Sequence, residues 1–366
     1  MVELIFDNKP TRSEISNKAL FAAENININF SDSANYLIKS ENFIALSVLL
    51  NYYREKIDLI YIDPPFNTMQ DFFISQKRAN SISSIKEFMA YNDKMQLDKF
   101  LAFMYERLIM IHELLSFRGS LYLHIDCKMG HYVKIILDEI FGSDNFINDI
   151  ARIKSNPKNF YRRAWGNEKD MILFYAKDSR HNIWNDIKSA MNQDELMRRF
   201  PKIDSNGRRY TTIPLHAPGE TQNGITGCAW RNIPVPAGRH WRTNPAEFDK
   251  LDSEGKIEWS SRGNPRIKKY ADEHDGKKIQ DVWTFKDPQN PVYPTEKNHE
   301  MLKLIIAQSS LKESTILDCF AGSGAALLCA HELGRKWIGI DKSDAAINII
   351  RKNFNSDYIF LDFMKE

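Results

Sequence analysis

The apolar positions of the first 180 residues alternate between a helical rhythm and short continuous runs. Residues 35–50 start with alternating apolar and polar positions and pass into Phe43, Leu46, Leu49 and Leu50 at helical spacing, which predicts a helix feeding a strand. That strand is Ile57–Ile62, rich in β-branched and aromatic side chains. Leu97, Leu101, Met104, Leu108, Ile111 and Leu115 predict a second helix over 97–117, after which Gly119 opens a strand from Ser120 to Ile125. A third helix is predicted from about Lys128 to Phe141 with Gly142 as its stop, and Met171–Tyr175 reads as a further strand. Between 181 and 284 the rhythm breaks, with Gly, Pro and polar residues dense over 201–245. It returns after Pro294 as a helix over 298–309, a strand Thr315–Phe320, a helix Ala325–Leu333 and a strand Trp337–Asp341. Alternating strands and helices predict an α/β protein with a doubly wound, mostly parallel sheet. The expected organisation is 1–180, an insertion at 181–284, and 285–366.

Composition narrows the class. With 366 residues, 43% of them hydrophobic and 27% charged, the chain is expected to be globular with a sizeable core. No apolar run approaches the ~18 residues of a membrane span, and the N-terminal residues lack the pattern of a signal peptide, so a cytoplasmic protein without membrane contact is expected. Cys127, Cys228, Cys319 and Cys329 are scattered and form no CxxC, which points away from a disulfide framework and from a zinc site; no metal is expected.

The net charge of +2 conceals an asymmetry. Residues 151–290 hold 26 Lys and Arg against 18 Asp and Glu, whereas the rest of the chain is net negative. The basic character is sharpest where Arg152, Lys154, Lys158, Arg162 and Arg163 interleave with Phe160, Tyr161 and Trp165 and no acid intervenes. Cations among aromatics suit phosphates and bases together, although a solvated charge run is the commoner fate of such a segment.

Two motifs carry the candidate chemistry. Ile62 is followed by Asp63-Pro64-Pro65-Phe66, and the prolines end strand pairing because they lack an N–H. The corner presents a carboxylate, proline carbonyls and a ring, which suits an exocyclic amino group on a nucleobase; a plain turn is the alternative. Far downstream, Asp318-Cys319 leads into Phe320-Ala321-Gly322-Ser323-Gly324, a strand running into a glycine-rich turn ahead of a helix. Asp341 ends the next strand, seventeen residues after Gly324, where a ribose diol could be held. A nicotinamide or flavin enzyme would want Gly or Ala where Leu327 stands, to bring helix and strand close. S-adenosylmethionine, which has adenine, ribose and an amino acid but no phosphate, fits the turn better.

Together the Asp-Pro-Pro-Phe corner and the Phe-Ala-Gly-Ser-Gly turn resemble the β-class amino DNA methyltransferases, in which the catalytic half comes first, the target recognition region second and the cofactor half last. Tyr36–Leu50, Ile60–Thr68, Leu123-His124-Ile125-Asp126 and Asp138–Gly142 are similar to type III modification subunits and related type II enzymes. Gly238–Arg242, Gly255–Trp259 and Tyr293–Lys297 also look like family segments, so the resemblance covers most of the chain. It implies the S-adenosylmethionine-dependent methyltransferase fold with an inserted recognition region. It further implies that Asp318, Phe320 to Gly324 and Asp341 surround the cofactor, with Thr295 and Lys297 at its methionine end and Asp362 near its adenine. Arg239 and Arg242 would join the basic segment in holding double-stranded DNA. A restriction endonuclease and a homodimer are the partners that such kinship admits.

Departures from the family pattern are Asn298 and Ala325, in place of Pro and Thr; Asn298 is expected to loosen the helix entry. The expected reaction is methyl transfer to adenine N6, because Asp rather than Ser heads the tetrapeptide. Asp63 and the Pro64 carbonyl would accept the amino hydrogens, Pro65 would shape the corner, and Phe66 would stack on the flipped base. Cytosine-N4 transfer, a catalytically idle DNA-binding subunit and a hydride-transfer enzyme are the competing readings.

Overall fold

The computed structural model describes residues 3–65, 70–75, 87–93, 95–155, 163–289, 296–354 and 357–364. The chain forms two compact units, Met1–Asp186 with Gln280–Glu366, and Ile187–Ile279.

The first unit carries a nine-stranded sheet. Its strands in chain order are β1 (Tyr36–Lys39), β2 (Ile57–Ile62), β3 (Leu115–Ile125), β4 (Phe146–Ile153), β5 (Lys169–Ala176), β6 (Val282–Thr284), β7 (Thr315–Asp318), β8 (Lys336–Asp341) and β9 (Ile359–Asp362). Their spatial order is β6-β4-β5-β3-β2-β7-β8-β1-β9. Only β5 runs against its neighbours β3 and β4; every other pairing is parallel. Parallel strands need both faces covered, which is why they read as nearly continuous apolar runs. The helices of this unit are α1 (Arg12–Ala23), α2 (Asn42–Tyr53), α3 (Leu97–Leu114), α4 (Gly130–Phe141), α5 (His299–Ser309), α6 (Ala325–Glu332) and α7 (Asp344–Asn353). Alternation along β2 and β3 sends Ile60, Ile62, Leu121 and Leu123 into the core shared with α1 to α4, and turns Tyr61, Tyr122 and His124 to the other face. There the Tyr122 hydroxyl meets Ser309 Oγ of α5 at 2.8 Å.

Several elements depart from the sequence expectation for identifiable reasons. The helix expected over 97–117 ends at Leu114, and β3 begins at Leu115 with an irregularity opposite Ile57 and Leu59. Gly119 lies where this irregularity presses on β2: a side chain there would meet the Ile57 carbonyl at 2.7 Å. The helix expected from Lys128 starts at Gly130, because Asp126 Oδ1 first accepts the N–H groups of Lys128 and Met129. Asn298, expected to loosen the entry to α5, caps it: its Oδ1 accepts from Met301 N at 3.1 Å and its Nδ2 donates to the Lys286 carbonyl at 3.0 Å.

The second unit has its own core of Leu215, Trp230, Trp241, Phe248, Ile257 and Ile267. It is built on a four-stranded antiparallel sheet, with His216–Pro218 pairing Arg239–Trp241 in a separate ribbon. The borders of the insertion are narrower than 181–284. Val282–Thr284 is an edge strand of the main sheet, and Asn185 donates to the carbonyls of Ala307 and Ser310 in the first unit.

Candidate active site

The parallel strands of an open α/β sheet end at one edge, and ligands gather outside it. Here β2 runs into Asp63, β7 ends at Asp318, β8 at Asp341 and β9 at Asp362. Four carboxylates from four strands are thus delivered to one edge, with Asp170 at the start of the antiparallel β5 alongside them.

On the β7–β8 side, the glycine-rich turn is shaped by backbone hydrogen bonds. Gly322 N donates to Asp341 Oδ2 at 2.9 Å, and Asp341 Oδ1 accepts from Ser343 N at 2.8 Å. Gly322 and Gly324 have φ of 52° and 76°, the left-handed region in which glycine is favoured. Gly324 N returns to the Ala321 carbonyl at 2.7 Å, and α6 starts at Ala325 with no side chain capping its entry. The turn is anchored from below: Arg107, buried in α3, donates to Asn42 Oδ1 and Glu41, and Asn42 Nδ2 donates to the Cys319 carbonyl. Burial raises the Asp341 carboxyl against the pull of its N–H donors. Burial also pushes Asp318 up to about 8, with the charges of Asp63 and Asp341 adding to it and the Phe320 N–H opposing. Ser323 and Ala321 are nearly buried, Phe320 is half-buried, and Asp362 accepts from Met364 N and lies 4.0 Å from Lys39 Nζ.

This donor set fits S-adenosylmethionine. Asp341 keeps lone pairs beyond those engaged by Gly322 and Ser343, as a ribose diol requires.

On the β2 side, Asp63 Oδ2 receives the ammonium of Lys297 at 2.6 Å, whereas its buried Oδ1 has no hydrogen-bond partner among the described residues. Pro64 is buried and Pro65 half-buried. Phe66 and Thr295 lie outside the described residues, as do Lys158, Tyr161 and Arg162. Lys297, expected beside the cofactor, is thereby brought onto the Asp63 carboxylate.

Behind Asp63 lies a buried polar chain that sequence reasoning missed. The Tyr61 hydroxyl meets His124 Nδ1 at 3.2 Å, and His124 Nε2 meets Asp170 Oδ2 at 3.3 Å. Burial lowers the His124 pKa and keeps the ring neutral, so Nε2–H donates to Asp170 and Nδ1 accepts from Tyr61. Burial alone would raise Asp170, but the bonds from His124 and from Lys154, whose Nζ is 2.6 Å away, outweigh it and hold the carboxyl below its ordinary range. The available signal was polar residues, His124 and Asp170, set in or beside strands that are otherwise apolar.

Arg152 requires a correction. It was expected on DNA, yet it is fully buried: its Nε donates to the Phe285 carbonyl at 2.8 Å, it pairs with Asp287, and Asp170 lies 3.6 Å away. Its position in β4, directly opposite Asp170 in β5, turns it inward. Lys154 is three-quarters covered and committed to Asp170. Arg163, Trp165, Arg239 and Arg242 are exposed, and Arg242 Nε reaches the Pro214 carbonyl.

A family model described as DNA methylase matches residues 57–352. The Type II methyltransferase M.EcaI of Enterobacter cloacae is 39% identical over 326 residues, covering 87% of this chain and 69% of that protein. The Type III restriction-modification enzyme StyLTI Mod subunit of Salmonella typhimurium is 26% identical over 328 residues, and the match spans 80% of this chain but 49% of that subunit. Among solved structures, the PvuII DNA methyltransferase (cytosine-N4-specific) aligns over 91% of this chain and 96% of its own, at 10% identity and a TM-score of 0.48. The M1.HpyAVI–SAM complex aligns over 87% and 100%, at 14% identity and a TM-score of 0.44. With its carboxylate edge, its glycine turn and a family match over most of its length, the chain belongs to the N6/N4 DNA methylase family.

Proposed function

We propose that the protein transfers a methyl group from S-adenosylmethionine to the N6 amino group of adenine in double-stranded DNA. The observation that carries this reading is the buried Oδ1 of Asp63, an acceptor without a donor among the described residues, at the same strand edge as the glycine turn and Asp341. An uncompensated buried acceptor is costly unless a ligand supplies the missing hydrogen. An amino group supplies it.

Bound S-adenosylmethionine provides an electrophilic methyl group on a sulfonium. The chain's own residues do the rest by orientation and electrostatics. Asp63 Oδ1 and the Pro64 carbonyl accept one amino hydrogen each. This draws the nitrogen lone pair out of conjugation with the ring and aims it at the methyl group. The N–C bond would form as the sulfonium S–C bond breaks, leaving S-adenosylhomocysteine as a neutral thioether, and the methylated nitrogen would then release one proton to water. Asp341 would hold the ribose hydroxyls, and the turn from Phe320 to Gly324 would lie against the cofactor. The base must leave the duplex to reach this edge, and Phe66 is the ring assigned to stack on it. Arg163, Trp165, Arg239 and Arg242 are the exposed side chains assigned to DNA, together with Lys158, Tyr161 and Arg162 of the same basic segment. Kinship with type II and type III enzymes supports placing the protein in a restriction-modification system. A cognate endonuclease and a homodimer are its partners in that setting, with the cytoplasm as its location.

The test is to incubate the protein with unmethylated DNA and methyl-labelled S-adenosylmethionine, then digest the DNA to nucleosides. Label in N6-methyladenine that disappears with Asp63→Ala is the expected result. Label in N4-methylcytosine would replace adenine as the target, and no transfer to any DNA would overturn the reading.

A further inference from the structure

The pair formed by Lys297 and Asp63 combines three features that a surface ion pair lacks. Both partners are largely enclosed, with 8% and 17% of their side chains accessible. Among the described residues the carboxylate is engaged at one oxygen, since Oδ2 holds the ammonium at 2.6 Å while Oδ1 stays buried without a partner. The lysine is also held from its own side: the next residue, Asn298, caps α5 and ties back to the Lys286 carbonyl, so the backbone that carries Lys297 is fixed. An unpinned carboxylate rotates about its terminal torsion and can offer either oxygen. Pinning one oxygen selects the other.

We propose that Lys297 is a positioning residue for methyl transfer, clamping Oδ2 of Asp63 so that Oδ1 alone faces the substrate amino group. This rests on the reading that Asp63 accepts an amino hydrogen. Lys297 then acts through Asp63 and not on the cofactor. The arrangement also supplies a cation at a strand edge crowded with carboxylates, where Asp318 lies within the field of both Asp63 and Asp341. His124, on the neighbouring strand, lies within the field of both members of the pair.

The proposal separates binding from turnover. Lys297→Met should lower kcat on the order of a hundredfold, the scale of a misplaced reacting group, while the Kd for S-adenosylmethionine and the KM for DNA stay within about threefold. Lys297→Arg, which restores a cation able to reach Oδ2, should recover most of that loss. In the background Asp63→Asn, adding Lys297→Met should cost little more, because two residues that act through one contact are not additive. Should Lys297→Met fail to fold, as judged by its circular dichroism, Lys297→Gln is read the same way. Unchanged kcat in Lys297→Met would overturn the proposal. So would a loss confined to cofactor affinity, an arginine variant no better than methionine, or full additivity with Asp63→Asn. If the unmodified protein transfers no methyl group to DNA, it is the proposed function that falls.

Discussion

Replacing Asp318 with Asn should stabilise the cofactor-free protein at alkaline pH while weakening its hold on the cofactor. Asp318 ends β7 fully enclosed, and burial, reinforced by the charges of Asp63 and Asp341, raises its carboxyl to about 8. In the unfolded chain the same group titrates near 4. Between those values the native state keeps a proton that the unfolded state has lost, so stability falls as pH rises and levels off only above the folded value. Each pH unit well inside that window is worth about 1.4 kcal/mol, and because the native group is half ionised at its folded value, moving from about pH 6 to about pH 8 costs roughly 2 kcal/mol. Asn still offers an oxygen to the Phe320 N–H, which Asp318 Oδ1 accepts at 3.0 Å, but carries no titration. Urea unfolding of both proteins at the two pH values should therefore show the advantage of Asp318→Asn widening by that amount. Cofactor affinity should move the other way. A sulfonium favours the ionised carboxylate, so binding by the unsubstituted protein should tighten as pH rises through about 8, by at most tenfold per unit, and stay flat in Asp318→Asn. Equal pH slopes of stability in the two proteins would refute the reasoning.

Two further expectations follow from the buried chain and from the exposed cations. Asp170→Ala removes the carboxylate shared by His124, Lys154 and Arg152, and breaking such a buried pair should destabilise by about 3–5 kcal/mol. The double replacement Asp170→Leu with Arg152→Met should cost less than Asp170→Ala alone, and a greater loss would contradict the assignment of Arg152 to the interior. Arg239→Ala should weaken DNA binding across sequences and reduce the slope of log affinity against log salt by about one, whereas an unchanged slope would remove Arg239 from the phosphate contacts.

What was legible in the sequence was what a single strand or helix spells out. The runs Ile57–Ile62, Thr315–Asp318 and Lys336–Asp341 are apolar enough to declare buried parallel strands, and the residues that terminate them, Asp63 and Asp341, announce the edge where chemistry gathers. Arg152 shows the limit. In sequence it heads a basic, aromatic segment, and its burial is decided by Asp170 in the adjacent antiparallel strand and by Asp287 beyond the second unit. Neither partner is near it in sequence. Val282–Thr284 was lost for the same reason: three residues carry no periodicity, and only their pairing with Ala151 to Ile153 makes them a strand. Asn298 reads as a departure from a proline pattern, and its cap depends on a backbone turn that composition does not reveal.

The carboxylates of the edge fall into two electrostatic classes, and the division follows the proposed division of labour. Asp63 is matched by Lys297, and Asp170 by Lys154 and Arg152, each through side-chain cations that neutralise it in place. Among the described residues the hydrogen bonds to Asp318 and Asp341 come from backbone N–H groups, of Phe320 and of Gly322 and Ser343; both carboxyls are pushed upward by burial, which outweighs the nearby Lys342 charge at Asp341. Dipoles satisfy hydrogen bonds but supply no full counter-charge, so this half of the edge is left short of positive charge. A sulfonium cofactor brings that charge with it, whereas a neutral amino group entering beside Asp63 meets a carboxylate already balanced. An edge built this way favours a cationic donor on one side and an uncharged acceptor on the other. Asp318 is accordingly the position at which a single substitution should lower cofactor affinity, and Lys297 the position at which it should lower turnover.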